Sequence, residues 1–131
     1  MKRLLLSKFN AMVLALSCLL MAQSHAADIS QTQLQQLMKS NQEIVILDVR
    51  TAEEFAKGHI ANAVNISHDE LDTRLLELTN AKDKQVVIYC RSGRRAEVAR
   101  KLLSEQGFKH LDHLSGDFNA WTDKNLPVVV K

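Results

Sequence analysis

The sequence predicts an α/β fold, a small central parallel β-sheet with helices on both faces, and three observations carry that prediction. Two continuous apolar runs, Ile44 to Leu47 and Val86 to Tyr89, read as strands buried on both faces, as parallel strands are, rather than as half-exposed alternating ones. Around them stand Ser/Thr-x-x-Glu/Gln signatures, each of which opens a helix. The connections are short, and no repeat, linker or low-complexity tract interrupts the chain after residue 27. Strands that alternate with helices on short connections pair in parallel.

Ser30 with Gln33 forms a capping box for a helix that runs to about Lys39. The strand from Ile44 is continued by Asp48-Val49-Arg50. Thr51 with Glu54 opens a second, short helix closed near Gly58, and Ala63 to Ile66 reads as a short strand. Ser67 with Glu70 is a third capping box, for a helix that presents Leu71, Leu75 and Leu78 on one face. After Val86 to Tyr89 comes a helical pattern of Ala96, Ala99, Leu102 and Leu103, ended by Gly107, a favourable residue just past a helix. His110 to Leu114 is expected as a strand, Asp117 to Trp121 as a short helix and Val128 to Val130 as a tail.

The first 26 residues stand apart. Lys2, Arg3 and Lys8 make a basic start, Ala11 to Ala22 is apolar except for Ser17 and Cys18, and Ser24-His25-Ala26 offers the small residues of a cleavage site. That order is a secretory signal peptide cut after about Ala26, which leaves one domain over residues 27–131 and places it in the periplasm. A membrane anchor is disfavoured, because a span needs roughly twenty apolar residues. A lipoprotein signal at Cys18 is disfavoured too, because Leu19, Leu20 and Met21 carry the apolar run past the cysteine. The whole chain has 17 basic and 15 acidic residues; without Lys2, Arg3 and Lys8 the balance is 14 to 15. The basic excess thus belongs to the leader, and nothing in it calls for a nucleic-acid partner. The domain is expected to be a monomer with no membrane attachment after cleavage.

Cleavage also removes Cys18 and leaves Cys90 as the sole thiol. A lone cysteine in an exported chain has no internal disulfide partner and is a candidate reactive group. Its surroundings, Tyr89-Cys90-Arg91-Ser92-Gly93-Arg94-Arg95, place it where a buried strand hands over to a helix, the usual ligand position of open α/β sheets. A helix start is already electropositive, so Arg91, Arg94 and Arg95 are locally unfavourable there unless an anion sits among them. Helix N-termini and arginines favour a thiolate, the reactive form. Gly93, without a Cβ, lets the loop amides turn inward as a nest for an anion, and Ser92 offers a hydroxyl or a helix cap.

These residues closely resemble the active-site loop of the rhodanese-like sulfurtransferases. The similarity extends to Leu47-Asp48-Val49-Arg50, Glu54-Phe55, Gly58-His59-Ile60, Ala63 and Asn65-Ile66, and downstream to Gly116, Ala120-Trp121 and Leu126-Pro127-Val128. It covers about residues 36 to 130, in order and at matching spacing. The resemblance implies the small α/β rhodanese-like fold and a thiosulfate sulfurtransferase working through a Cys90 persulfide, without cofactor or metal. Arg91, Ser92, Gly93, Arg94 and Arg95 would form the substrate cradle, Arg91 and Arg94 mainly binding the donor and Arg95 bracing the loop. Asp48 and Arg50 would support the sheet's edge near that loop. The partners implied are a small-molecule sulfur donor and acceptor, or a thiol protein as acceptor.

His59 is expected to be structural, and Phe118 and Trp121 to be core. His110 and His113, three apart on a strand, point to opposite faces and make no metal pair. His68 is a lone surface candidate. Cysteine phosphatases and similarly built arsenate reductases also use a cysteine–arginine loop, but with arginine six residues after the cysteine. Here Ala96 holds that position and Tyr89, not histidine, precedes Cys90. The shorter loop suits one sulfur rather than a phosphate. A persulfide carrier that serves a partner remains the alternative, since it needs the same cradle.

Overall fold

The computed structural model describes residues 25–131. The leader up to residue 24 lies outside them, so cleavage and export stay sequence expectations; among the described residues no helix is long and apolar enough to cross a membrane. Five strands, β1 (His25–Ile29), β2 (Ile44–Asp48), β3 (Val64–Asn65), β4 (Gln85–Tyr89) and β5 (His110–Leu114), form one sheet in the order β1-β5-β4-β2-β3. Every pairing in it is parallel. Four α-helices join them: α1 (Gln31–Lys39), α2 (Ala52–Lys57), α3 (Arg94–Glu105) and α4 (Asp117–Asp123).

Two of the three capping boxes close as expected. Ser30 accepts the Gln33 N–H at 3.1 Å while the Gln33 side chain accepts the Ser30 N–H at 2.9 Å. Thr51 and Glu54 make the same exchange at 3.2 and 2.9 Å. The third does not form. The Ser67 hydroxyl donates to the Asp69 carboxylate at 2.6 Å, so it is spent on a local turn that competes with a helix cap. The segment proceeds through turns into a 3-10 helix, Leu75–Ala81. Its apolar residues still serve the core: Leu71 and Leu78 are buried and Leu75 packs beside them.

The opening strand β1 was not expected from sequence. Ala27-Asp28-Ile29 has no apolar run to mark it; it becomes a strand by pairing with β5 at one edge of the sheet, Ala27 opposite Asp112 and Ile29 opposite Leu114. At the other edge, the expected strand Ala63 to Ile66 shortens to Val64–Asn65. The tail is held where Val129 and His59 exchange backbone hydrogen bonds at 2.9 Å.

Alternation along β4 splits the core in two. Val86, Ile88 and Cys90 join Leu47, Val49, Leu111 and the α3 residues Ala96, Ala99 and Leu103 on one face. Val87 and Tyr89 join Ile46, Leu34 of α1 and Trp121 of α4 on the other. Both faces are thus covered, as the apolar runs required. Because β4 lies between β5 and β2, whatever follows Tyr89 stands at the centre of the sheet's carboxyl edge.

Candidate active site

Cys90 is that residue, and it is 1% exposed. Its sulfur accepts the Gly93 N–H at 3.0 Å, so the loop curls back over the thiol. Gly93 has φ +121°, and a Cβ there would sit 3.1 Å from Asp117 Oδ2 and 3.5 Å from the His113 ring. The backbone angle disfavours any side chain, and the space for one is tight. Gly93 is also the residue that starts α3, and no side chain caps the first turn of that helix. Ser92 is exposed and does not act as the cap. The uncapped amides leave the electropositive helix end to whatever occupies the loop.

The arginines divide. Arg95 is half-buried and grips Glu54 with both nitrogens, at 2.7 and 3.0 Å. That hydrogen bond pulls the Glu54 carboxyl down to about 2, and the Thr51 backbone N–H adds to it against the opposing cost of burial. Arg95 is held charged first by Glu54 and then by the fields of Cys90 and Asp48. Arg91 and Arg94 are exposed and make no ion pair among the described residues. Two cations without carboxylate partners among the described residues therefore belong to the loop that carries the thiol.

Asp48 and Arg50 form a buried pair, 2.6 Å apart, with Arg50 also donating to the Gly58 carbonyl at 2.7 Å. The guanidinium lies 4.0 Å from the Phe118 ring centroid and 5.5 Å from that of Tyr89. This cluster ties the end of β2 to the end of α2 and to α4. Burial raises the Tyr89 hydroxyl well above its ordinary range, with the Asp48 charge adding to it, and that hydroxyl accepts the Ile60 N–H at 3.2 Å. His59 is structural as expected: it is buried, stacks on Phe55 at 3.6 Å and meets the Phe55 carbonyl at 2.9 Å. Trp121 is core, while Phe118 is half-buried against it and serves the Arg50 charge.

Two residues to which sequence reasoning assigns no role at the site belong to it, Asp117 directly and His113 through Asp117. Asp117 Oδ1 accepts the Cys90 N–H at 2.9 Å, and His113 Nε2 lies 2.9 and 3.0 Å from the two Asp117 oxygens. The neighbouring amides of α4 complete the attachment: Phe118 N–H donates to the Cys90 carbonyl at 3.0 Å and Asn119 N–H to that of Arg91 at 3.1 Å. The signal in sequence was the spacing of His113, near the end of a strand, and Asp117, four residues on, but it points at Cys90 only once β5 is known to lie beside β4. His110 is exposed and His113 half-buried, on opposite faces. His68, half-buried, has an unpartnered Nδ1. Among the described residues no three His, Cys, Asp or Glu side chains gather as a metal site requires.

The sequence and the fold both resemble those of known proteins. The family model of the rhodanese-like domain matches residues 30–124. The chain is 34% identical over 102 residues to a sulfurtransferase of Allochromatium vinosum, covering 78% of this chain and 94% of that protein. It is 36% identical over 101 residues to YrkF, a proposed sulfur carrier protein of Bacillus subtilis, covering 77% of this chain and about half, 54%, of that longer protein. Among solved structures, a rhodanese-related protein from Thermoplasma volcanium superposes with a TM-score of 0.71 at 30% identity, over 80% of this chain and 99% of that one. With the fold, the cysteine loop and these relatives in agreement, the chain belongs to the rhodanese-like sulfurtransferase family.

Proposed function

We propose that this protein is a thiosulfate sulfurtransferase that carries sulfane sulfur on Cys90. The observation that carries the reading is the placement of Cys90 Sγ, 3.0 Å from the Gly93 N–H at the uncapped start of α3, in a loop whose Arg91 and Arg94 are exposed and have no carboxylate partners among the described residues. A dianionic donor suits two free cations and a helix N-terminus. In the first step the Cys90 thiolate attacks the outer sulfur of thiosulfate. The new S–S bond forms as the old one breaks, and sulfite leaves with the electron pair. In the second step cyanide or a thiolate attacks the terminal persulfide sulfur and releases the Cys90 thiolate, a covalent ping-pong cycle. The loop amides stabilise the persulfide anion. Ser92 and Gly93 contribute to that cradle, Arg95 braces it, and Asp48 and Arg50 hold the frame behind it.

We place the protein in the periplasm, released from its leader near Ala26, as a monomer acting on small donors and on small-molecule or protein thiols. The test is mass spectrometry of the chain with thiosulfate. One sulfur, about 32 Da, should appear on Cys90, cyanide should remove it as thiocyanate, and Cys90→Ser should do neither. Turnover retained by Cys90→Ser would falsify the mechanism. Loading of one sulfur that cyanide cannot take would favour the carrier alternative.

A further inference from the structure

We propose that Asp117 and His113 are a positioning pair for Cys90: the carboxylate fixes the Cys90 amide, and the His113 proton keeps that carboxylate from opposing an anionic donor. The proposal rests on the sulfurtransferase reading for its consequence in catalysis, but the pair itself stands on geometry.

Asp117 is 1% exposed and held at φ +55°, a left-handed backbone that a non-glycine side chain rarely adopts. Gly116, just before it, also has a positive φ, and a Cβ on it would collide with the Ala120 methyl. A strained carboxylate at the head of a seven-residue helix, α4, is retained here by specific contacts. Its oxygens take the Cys90 N–H at 2.9 Å and the His113 Nε2 at 2.9 and 3.0 Å. Gly93, whose amide meets the sulfur, packs so closely that its missing Cβ would touch Asp117 and His113. The carboxylate therefore underlies both ends of the loop that carries the thiol. A buried carboxylate without a partner would be costly, and His113 supplies the partner.

The charge balance makes the pair sensitive to protonation. Three elements face His113: Asp117 from α4, Asp28 from β1 with its Oδ1 3.6 Å from Nδ1, and Arg100 from α3. Arg100 is itself occupied by Glu97 at 2.7 Å and Asp28 at 3.6 Å. Asp117 holds the His113 imidazole above its ordinary range, chiefly through their hydrogen bond, against the opposing cost of burial. While the imidazolium persists, the Asp117 charge is matched. Once that proton leaves, an unmatched carboxylate lies directly behind the Cys90 amide and repels an incoming anion.

Two alkylating reagents read this field without any sulfur chemistry. Iodoacetate is an anion and iodoacetamide is neutral, and the ratio of their rates at Cys90 cancels the thiol's own ionisation. In the full chain this ratio should fall by about three- to tenfold as pH rises from about 6 to 9. Asp117→Asn keeps an oxygen acceptor and tolerates the left-handed backbone, so its ratio should stay flat. Asp117→Gly relieves the backbone but loses the anchor. Its maximal rate of persulfide loading from thiosulfate should drop by about ten- to a hundredfold, with the KM for thiosulfate little changed. A ratio with the same pH course in the wild-type chain and in Asp117→Asn would overturn the proposal, as would wild-type loading by Asp117→Gly. Absence of loading in every chain, with the alkylation ratio behaving as expected, would instead sink the sulfurtransferase reading and leave the pair standing.

Discussion

Arg95 and Glu54, 41 residues apart in sequence, form a two-pronged ion pair of 2.7 and 3.0 Å that joins the start of α3 to α2. The guanidinium thus ties the downstream end of the cysteine loop to α2. Glu54 serves two masters, since the same carboxylate also closes the Thr51 capping box. Replacing Arg95 with Ala should cost about 1 kcal/mol, because the pair is only partly shielded from water, and lower Tm by about 5 °C. The Glu54 carboxyl is depressed from its ordinary 4.5 to about 2. Its contribution is therefore complete above about pH 4.5 and disappears as pH falls toward 2. Unfolding midpoints of wild type and Arg95→Ala should differ at pH 6 and converge near pH 2; a constant gap would mean that the charge of Glu54 is not what Arg95 holds.

Arg91 and Arg94 should behave differently, because nothing among the described residues neutralises them. Alanine at either position removes a charge available to an anionic donor, and kcat/KM for thiosulfate should fall by about ten- to a hundredfold, the worth of a charged hydrogen bond. An uncharged persulfide donor should lose less. Arg95→Ala supplies the control, since a loop brace affects both donors alike. Equal losses with both donors for Arg91→Ala and Arg94→Ala would assign these residues to loop shape.

The contrast between these arginines marks how far local sequence reaches. The cysteine loop was legible because its signals are contiguous: an apolar run into Cys90, a glycine at a turn, and helical spacing from Ala96. The two capping boxes at Ser30 and Thr51 were legible for the same reason, each being complete within four residues. Ser67 looked identical in sequence, but Asp69, two residues on, offers its hydroxyl a nearer acceptor. β1 and the Asp117–Cys90 bond were not legible because both depend on strand order. A short Ala-Ala-Asp-Ile stretch becomes a strand only beside β5, and Asp117 meets Cys90 only because β5 adjoins β4.

The pair of Asp48 and Arg50 gives the clearest separation of frame from site. Both are buried, Asp48 fully and Arg50 with 3% of its surface exposed, and the guanidinium also holds the Gly58 carbonyl and lies over the Phe118 ring. Asp48→Ala leaves a cation in the interior without its counter-charge, a change that costs about 3–5 kcal/mol and lowers Tm by more than about 10 °C. Asp48→Asn keeps an oxygen acceptor for the Arg50 backbone N–H, now at 2.9 Å, and should cost less. Among the described residues neither side chain bonds the Cys90 sulfur, which takes its hydrogen bond from Gly93. Below its midpoint, then, Asp48→Ala should still load one sulfur per folded chain at close to the wild-type rate. Thermal unfolding followed by circular dichroism, paired with persulfide mass at about 20 °C below the variant's own Tm, measures both. A variant that keeps the wild-type midpoint yet fails to load sulfur would move Asp48 from the frame into the active site.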